Sequence, residues 1–299
     1  MFHIMVSDRA AAPTPTLPRD PRVKPGEGRE HAAPSAASRR ARPAGAGGLG
    51  LAAFEPSKIV DRVLYRDGLM LVIDKPAGIP VHGGPGGGPN LEHWFPLLRF
   101  GLPRPPALAH RLDRDTSGCL VLGRHPKALR RLGRLFAEGR VEKVYWAVVA
   151  GVPAEPEGRI EAALAKQPRG TVGWHMVVDP AGQRAVTDYR VLGIANGRAW
   201  LELRPRTGRT HQIRVHSTTL GCPVVGDTAY GGPGGEPLQL HARSIALSLY
   251  PARPPIAVSA PVPSHMLAAL VRFGYDPRDP EDTEAAHTAH GPIAEAIPA

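Results

Sequence analysis

Between residues 56 and 275, apolar residues come in short bursts separated by turn residues, and most bursts have the length of strands. LMLVIDKPAGIPVH (69–82) predicts a strand that stops at Pro76, which has no amide hydrogen to give to a ladder. GGPGGGPN (83–90) predicts a flexible loop, and GCLVLGR (118–124) a short buried strand. PKALRRLGRLFAEG (126–139) has another period. Ala128, Leu129, Leu132, Leu135 and Phe136 are spaced for one helix face, with Pro126 at the start and Gly139 at the stop. VEKVYWAVVAG (141–151), QRAVTDYRVLG (183–193), GRAWLELRPR (197–206) and LQLHARSIALSL (238–249) predict further strands. RTHQIRVHSTTLG (209–221) predicts a helix opened by Thr207 or Thr210 and closed by Gly221. Strands outnumber helices and strand–helix–strand alternation is scarce. The expected fold class is therefore α+β, with a mostly antiparallel sheet.

The flanks break the pattern. Residues 1–55 are rich in Ala, Pro and Arg, and AAPTPTLPRDPRVKP suits neither a helix nor a central strand, so disorder is expected there. Residues 276–299 are acidic and Ala-rich, and a loosely ordered tail is expected. One folded domain, 56–275, remains. Charge sharpens this division. Residues 1–55 carry 8 Lys/Arg against 5 Asp/Glu and residues 276–299 carry 1 against 6, so the middle carries 28 against 16, a net +12 beside +10 for the whole chain. Such a field fits a phosphate-backbone partner, although simple solubility explains it equally well.

No apolar run approaches the roughly 18 residues that span a membrane, and the N-terminus lacks a signal pattern. A cytoplasmic protein without a membrane partner is expected, as a monomer. Cys119 and Cys222 belong to no C-x-x-C pair and are expected to be buried free thiols. The 13 histidines include no H-E-x-x-H, and the glycine-rich loop lacks the Lys-Ser/Thr of a nucleotide cradle. Neither a metal nor a cofactor is expected.

Three stretches carry candidate chemistry. HRLDRDTSG (110–118) packs Arg111, Asp113, Arg114 and Asp115 beside a small turn that feeds a strand. A carboxylate between arginines stays ionised and can act as nucleophile or base. RTGRTHQIRVH (206–216) offers Arg206, Arg209, Arg214, His211 and His216. In EKVYWAVVAG (142–151), Lys143 and Tyr145 share one strand face. Taken singly, a salt-bridged loop, a basic helix face and a packed tyrosine explain them as well.

Taken together, the stretches resemble the RluA-type RNA pseudouridine synthase family. HRLDRDTSG matches that family's signature at nearly every position. LVIDKPAG (71–78), EKVYWAVVAG, TGRTHQIRVH with GCPVVGDTAYGG (221–232), and LQLHARSIAL (238–247) follow in the family's order, covering roughly 60–265. The resemblance implies the pseudouridine synthase fold: a mixed, mostly antiparallel sheet flanked by helices, with a catalytic cleft across it. It implies isomerisation of uridines in ribosomal or transfer RNA, with no cofactor. Residue by residue, it implies that Asp113 is the catalytic aspartate, Tyr145 the active-site tyrosine and Arg214 the arginine that pairs with the aspartate. Arg111 matches the position implicated in displacing the target nucleotide, and Leu240 an apolar contact to the base. Lys143 and Arg209 are expected to touch the RNA. Arg124, Lys127, Arg130, Arg131, Arg134 and Arg140 are expected to follow its phosphates. The chain departs from family members that carry an N-terminal S4-type RNA-binding domain, because residues 1–55 are too short and too Pro/Ala-rich to form one.

The reaction detaches uracil from C1′ of its ribose and reattaches it through C5, importing nothing. Asp113 can serve by covalent attack or by abstracting a sugar proton, and both routes stay open. Two other readings remain. One is a catalytically inactive RNA-binding protein of the same fold. The other is a hydrolytic glycosidase, which normally needs two carboxylates about 5–10 Å apart; Asp115 is the only obvious second candidate.

Overall fold

The computed structural model describes residues 56–278, apart from 84–86 and 171–172. The expectations for residues 1–55 and for the tail beyond 278 fall outside the described residues.

The strands are β1 (Val63–Arg66), β2 (Met70–Lys75), β3 (Ala107–Leu108), β4 (Ser117–Gly123), β5 (Val141–Ala150), β6 (Glu157–Glu161), β7 (Leu164–Pro168), β8 (Trp174–Val178), β9 (Val186–Ala195), β10 (Arg198–Pro205), β11 (Leu240–Leu247) and β12 (Ile256–Ser259). The α-helices are α1 (Pro126–Ala137), α2 (Gln212–Thr219) and α3 (Ser264–Arg272). Ten strands form one sheet in the order β1-β2-β4-β11-β5-β10-β9-β6, with β12 on β11 and β3 on β4; β7 and β8 make a separate hairpin. β4 and β11 run parallel, and the other described pairs are antiparallel. This is the α+β class expected from the pattern.

The continuous apolar runs of β2 and β4 reflect burial on both faces. Leu71, Ile73, Leu120 and Leu122 pack with Leu91, Phe95 and Leu98 of a 3-10 helix (Leu91–Leu98). The alternate residues Met70, Val72, Cys119 and Val121 pack with Leu132 and Leu135 of α1. Each strand thus joins two cores through its two-residue period. α1 starts at Pro126 as predicted, where His125 Nδ1 accepts the Ala128 N–H at 3.2 Å. It stops before Gly139, at φ 67°, where the Arg140 N–H returns to the Leu135 carbonyl.

α2 differs from expectation at its start. It begins at Gln212, and neither Thr207 nor Thr210 caps it. Thr207 Oγ1 instead accepts the Val186 N–H and donates to Gln212 Oε1. His211 turns the chain in the left-handed conformation, φ 52°. Gly221 closes the helix as expected. Cys119 and Cys222 are buried free thiols. No helix among the described residues is long and apolar enough to cross a membrane.

Candidate active site

Asp113 stands in the turn that leads from β3 into β4, where its carbonyl accepts the Thr116 N–H at 3.2 Å. The turn is latched from below. Lys75, at the end of β2, is fully buried, and its Nζ donates to the carbonyls of Pro76, Arg114 and Thr116, each at 2.8 Å. Burial pushes this amine down to about 7. Gly118 then lets β4 approach β11: a Cβ there would collide with the backbone of Ala242. At the same crossing, Ser117 Oγ lies 2.9 Å from His241 Nδ1. Arg114 and Asp115 pair with each other at the surface at 3.0 Å.

Across the cleft, Gln212 organises residues 206–211. Its Oε1 accepts from Thr207 Oγ1 and the Arg209 N–H, while its Nε2 donates to the Val186 carbonyl and Thr187 Oγ1. His216, on the same helix, lies 2.9 Å from Thr187 Oγ1 and 3.0 Å from the Ala162 carbonyl. These bonds pin α2 to β9 and aim Arg214 at Asp113. Arg214 Nη1 donates to Asp113 Oδ2 at 3.3 Å. The firmer partner is Asp227, buried, which takes Nε at 2.6 Å and Nη2 at 2.8 Å. The guanidinium also lies 4.9 Å from the Tyr230 ring centroid. Two nitrogens of the fork are therefore held by Asp227, and the third points at Asp113.

Asp113 and Arg214 open into a cleft of about 570 Å³. Its wall includes Arg111, Lys143, Tyr145, Arg209 and Leu240, so all seven predicted site residues meet around one cavity. Tyr145 stands on β5, opposite Leu203 of β10. Burial, and then the charge of Asp113, push its phenol pKa up, so the hydroxyl stays protonated. Leu240 is 2% exposed and offers an apolar floor. Lys143 Nζ donates to the Thr207 carbonyl at 3.1 Å, and burial brings it down to about 8. Arg111 is exposed at the rim. Arg209 Nε donates to the Arg184 carbonyl.

One expectation is corrected here. Arg124 does not project along an RNA path, because its guanidinium is used within the fold, on the carbonyls of Asp67, Arg99 and Phe100. Lys127, Arg130, Arg131, Arg134 and Arg140 are exposed. Among the described residues, no cluster of three or more His, Cys, Asp or Glu has metal-binding geometry.

The family model described as RNA pseudouridylate synthase matches residues 69–219. An RNA pseudouridine synthase of Zymomonas mobilis is 46% identical over 209 residues, 69% of this chain and 95% of the relative. The chain belongs to the RNA pseudouridine synthase family. These enzymes are isomerases. A ribosomal large subunit pseudouridine synthase D from Xylella fastidiosa is 37% identical over 243 residues, 72% of this chain and 71% of that one. The solved structure of human RNA pseudouridylate synthase domain containing 4 superposes with a TM-score of 0.63 at 28% identity, covering 74% of this chain and 96% of that one.

Within this synthase, sequence reasoning missed the residues that support the site. Asp227 lies in GCPVVGDTAYGG and Lys75 in LVIDKPAG, both quoted for resemblance only. Gln212 and Tyr230 passed unremarked. An aspartate after glycine reads as a turn residue, and a lysine at a strand end reads as solvent-facing. The signal that finds them is geometric: each is a polar side chain facing groups that burial would otherwise leave unpaired.

Proposed function

We propose that this synthase isomerises uridines in structured RNA, with ribosomal large-subunit RNA as first candidate and transfer RNA as second, using Asp113 and no cofactor. The observation that carries the reading is the Asp113 carboxylate, held by Arg214 at 3.3 Å and open to a cleft walled by Tyr145 and Leu240. The choice of RNA draws on the named activity of the Xylella relative, a ribosomal large subunit pseudouridine synthase.

The chemistry needs an anion at the sugar and a held uracil ring. Asp113 supplies the anion, by attack or by proton abstraction. Tyr145 and Leu240 bracket the base, one with a ring face and the other with aliphatic surface. The protonated Tyr145 phenol serves as a hydrogen-bonding group and proton relay near C5, since a phenolate base is disfavoured there. The uridine must leave its stack first, at a cost of a few kcal/mol, and Arg111 at the rim is the long cation suited to fill the gap.

The test is incubation of the protein with total RNA from cells lacking its gene, followed by pseudouridine mapping. New pseudouridine at defined large-subunit positions is expected. New sites confined to transfer RNA would transfer the assignment to that class. No new site in any RNA would leave the inactive RNA binder as the better reading.

A further inference from the structure

His211 lies between the two halves of the site and has no role in the chemistry described so far. Its backbone is left-handed at φ 52°, ψ 19°, a conformation uncommon for a residue with a Cβ. Its side chain makes no helix cap. The ring is clasped instead. Trp174 of β8 stacks on it at 5.5 Å and 16°, and Tyr230 meets it edge-on at 5.5 Å and 77°.

The hydrogen bonds around the ring assign its tautomer. The Met176 N–H donates to Tyr230 Oη at 3.0 Å, so that oxygen already acts as an acceptor. Among the described residues, the acceptor within reach of the Tyr230 hydroxyl hydrogen is His211 Nδ1, at 2.6 Å. Nδ1 therefore takes a hydrogen bond, and a neutral ring carries its own hydrogen on Nε2. Nε2 faces Asp113 Oδ2 at 3.8 Å. This is the oxygen that accepts from Arg214 at 3.3 Å. Among the described residues, Asp113 Oδ1 receives no hydrogen bond. Burial keeps the His211 pKa low, partly opposed by Asp113.

We propose that His211, neutral and carrying its hydrogen on Nε2, is a positioning residue for Asp113: with Arg214 it holds Oδ2, leaving Oδ1 as the oxygen that meets the ribose. The inference rests on the reading of Asp113 as the reacting carboxylate. The 3.8 Å separation closes to a hydrogen bond by a shift of roughly 0.6–1 Å as substrate packs the cleft. A second hydrogen on the ring would sit on Nδ1, displace the hydrogen bond from the Tyr230 hydroxyl and make the ring a cation. The charged groups facing the ring are Asp113, Asp227, Arg214 and Arg111, with Lys166 beyond Trp174 at 4.4 Å from the indole centroid. Acid titration of the ring thus turns its contact with Oδ2 into an ion pair, which lowers the basicity of the reacting carboxylate and slows the reaction.

The experiment measures single-turnover pseudouridine formation and RNA affinity on one RNA, across roughly pH 5 to 8. It compares the unaltered protein with His211→Asn, His211→Gln and Tyr230→Phe. Asn tolerates the left-handed backbone and keeps an acceptor for Tyr230 but is too short to reach Asp113. It should slow the reaction about 10–100-fold while RNA affinity stays within about threefold. Gln extends a donor toward Asp113 and should recover about tenfold of that loss. Tyr230→Phe removes the bond that favours the neutral ring, so the acid limb should move to higher pH. His211→Asn at full rate, His211→Gln no faster than His211→Asn, or an unmoved acid limb in Tyr230→Phe would each overturn the proposal. An unaltered protein that makes no pseudouridine would fail before any substitution is compared, and would overturn the reading of function itself.

Discussion

Asp227, at 2% exposure, accepts two hydrogen bonds from the Arg214 guanidinium, and so decides which way its third nitrogen points. Asp227→Asn replaces one acceptor by a donor against a cation. We expect a loss of about 3–5 kcal/mol in unfolding free energy, because the arginine keeps a poorly paired charge inside the fold. Turnover should fall with it, since Arg214 is freed to rotate from Asp113. Urea denaturation with activity on the same preparation checks both, and unchanged turnover would show that Asp113 orients itself. Two neutral histidines flank the signature turn. His110 Nε2 accepts the Val121 N–H at 2.9 Å, and His241 faces Ser117. Burial pulls each down to about 3. A folded-state pKa below the unfolded value near 6.5 gives stability that is complete above pH 6.5 and lost as pH falls toward 3. Each histidine contributes at most about 1.4 kcal/mol per pH unit in that window. The urea midpoint should therefore drop from pH 7 to pH 4, and His241→Asn should flatten the dependence. An equally steep curve in that variant would remove His241 from the account. At this scale the residues that line the cleft were legible and their supports were not. Asp113, Tyr145 and Arg214 sit in dense, distinctive motifs. The partners that hold them look ordinary in one dimension.

Among the elements, the longest strands were the legible ones. β2, β4, β5, β9, β10 and β11 carry apolar runs long enough to be read directly. The missed strands are short or half-wet. β6 is EGRIE at the sheet edge with one buried residue, and β12 is four residues between proline pairs. The β7–β8 hairpin presents Lys166, Gln167 and Trp174, with no clean alternation. α3 escaped because HMLAALV is apolar almost throughout, which hides the period that Met266 and Leu270 reveal by their burial. Gly118 tests how these elements meet. It joins the Asp113 turn to the parallel crossing of β4 and β11, at φ 102° and against the Ala242 backbone. Gly118→Ala must move a strand, and should cost at least about 2 kcal/mol. A thermal melt matching the parent protein would mean that the crossing yields more easily than its packing implies.

For the whole molecule, charge and cleft point to the same partner. The 56–275 region carries a net +12, and α1 turns Lys127, Arg130, Arg131 and Arg134 outward. RNA affinity should fall with salt at a log–log slope steeper than about −3, as phosphate contacts release counterions. Affinity that is flat in salt would detach the basic surface from binding. The measurement closest to the central claim uses Asp113→Asn, which keeps the side chain's size and removes its charge. Pseudouridine yield at saturating protein and RNA affinity are read on the same RNA. The account predicts a folded protein that binds within about tenfold of the parent, roughly 1.4 kcal/mol, and makes no detectable pseudouridine. Substantial turnover by Asp113→Asn would contradict it.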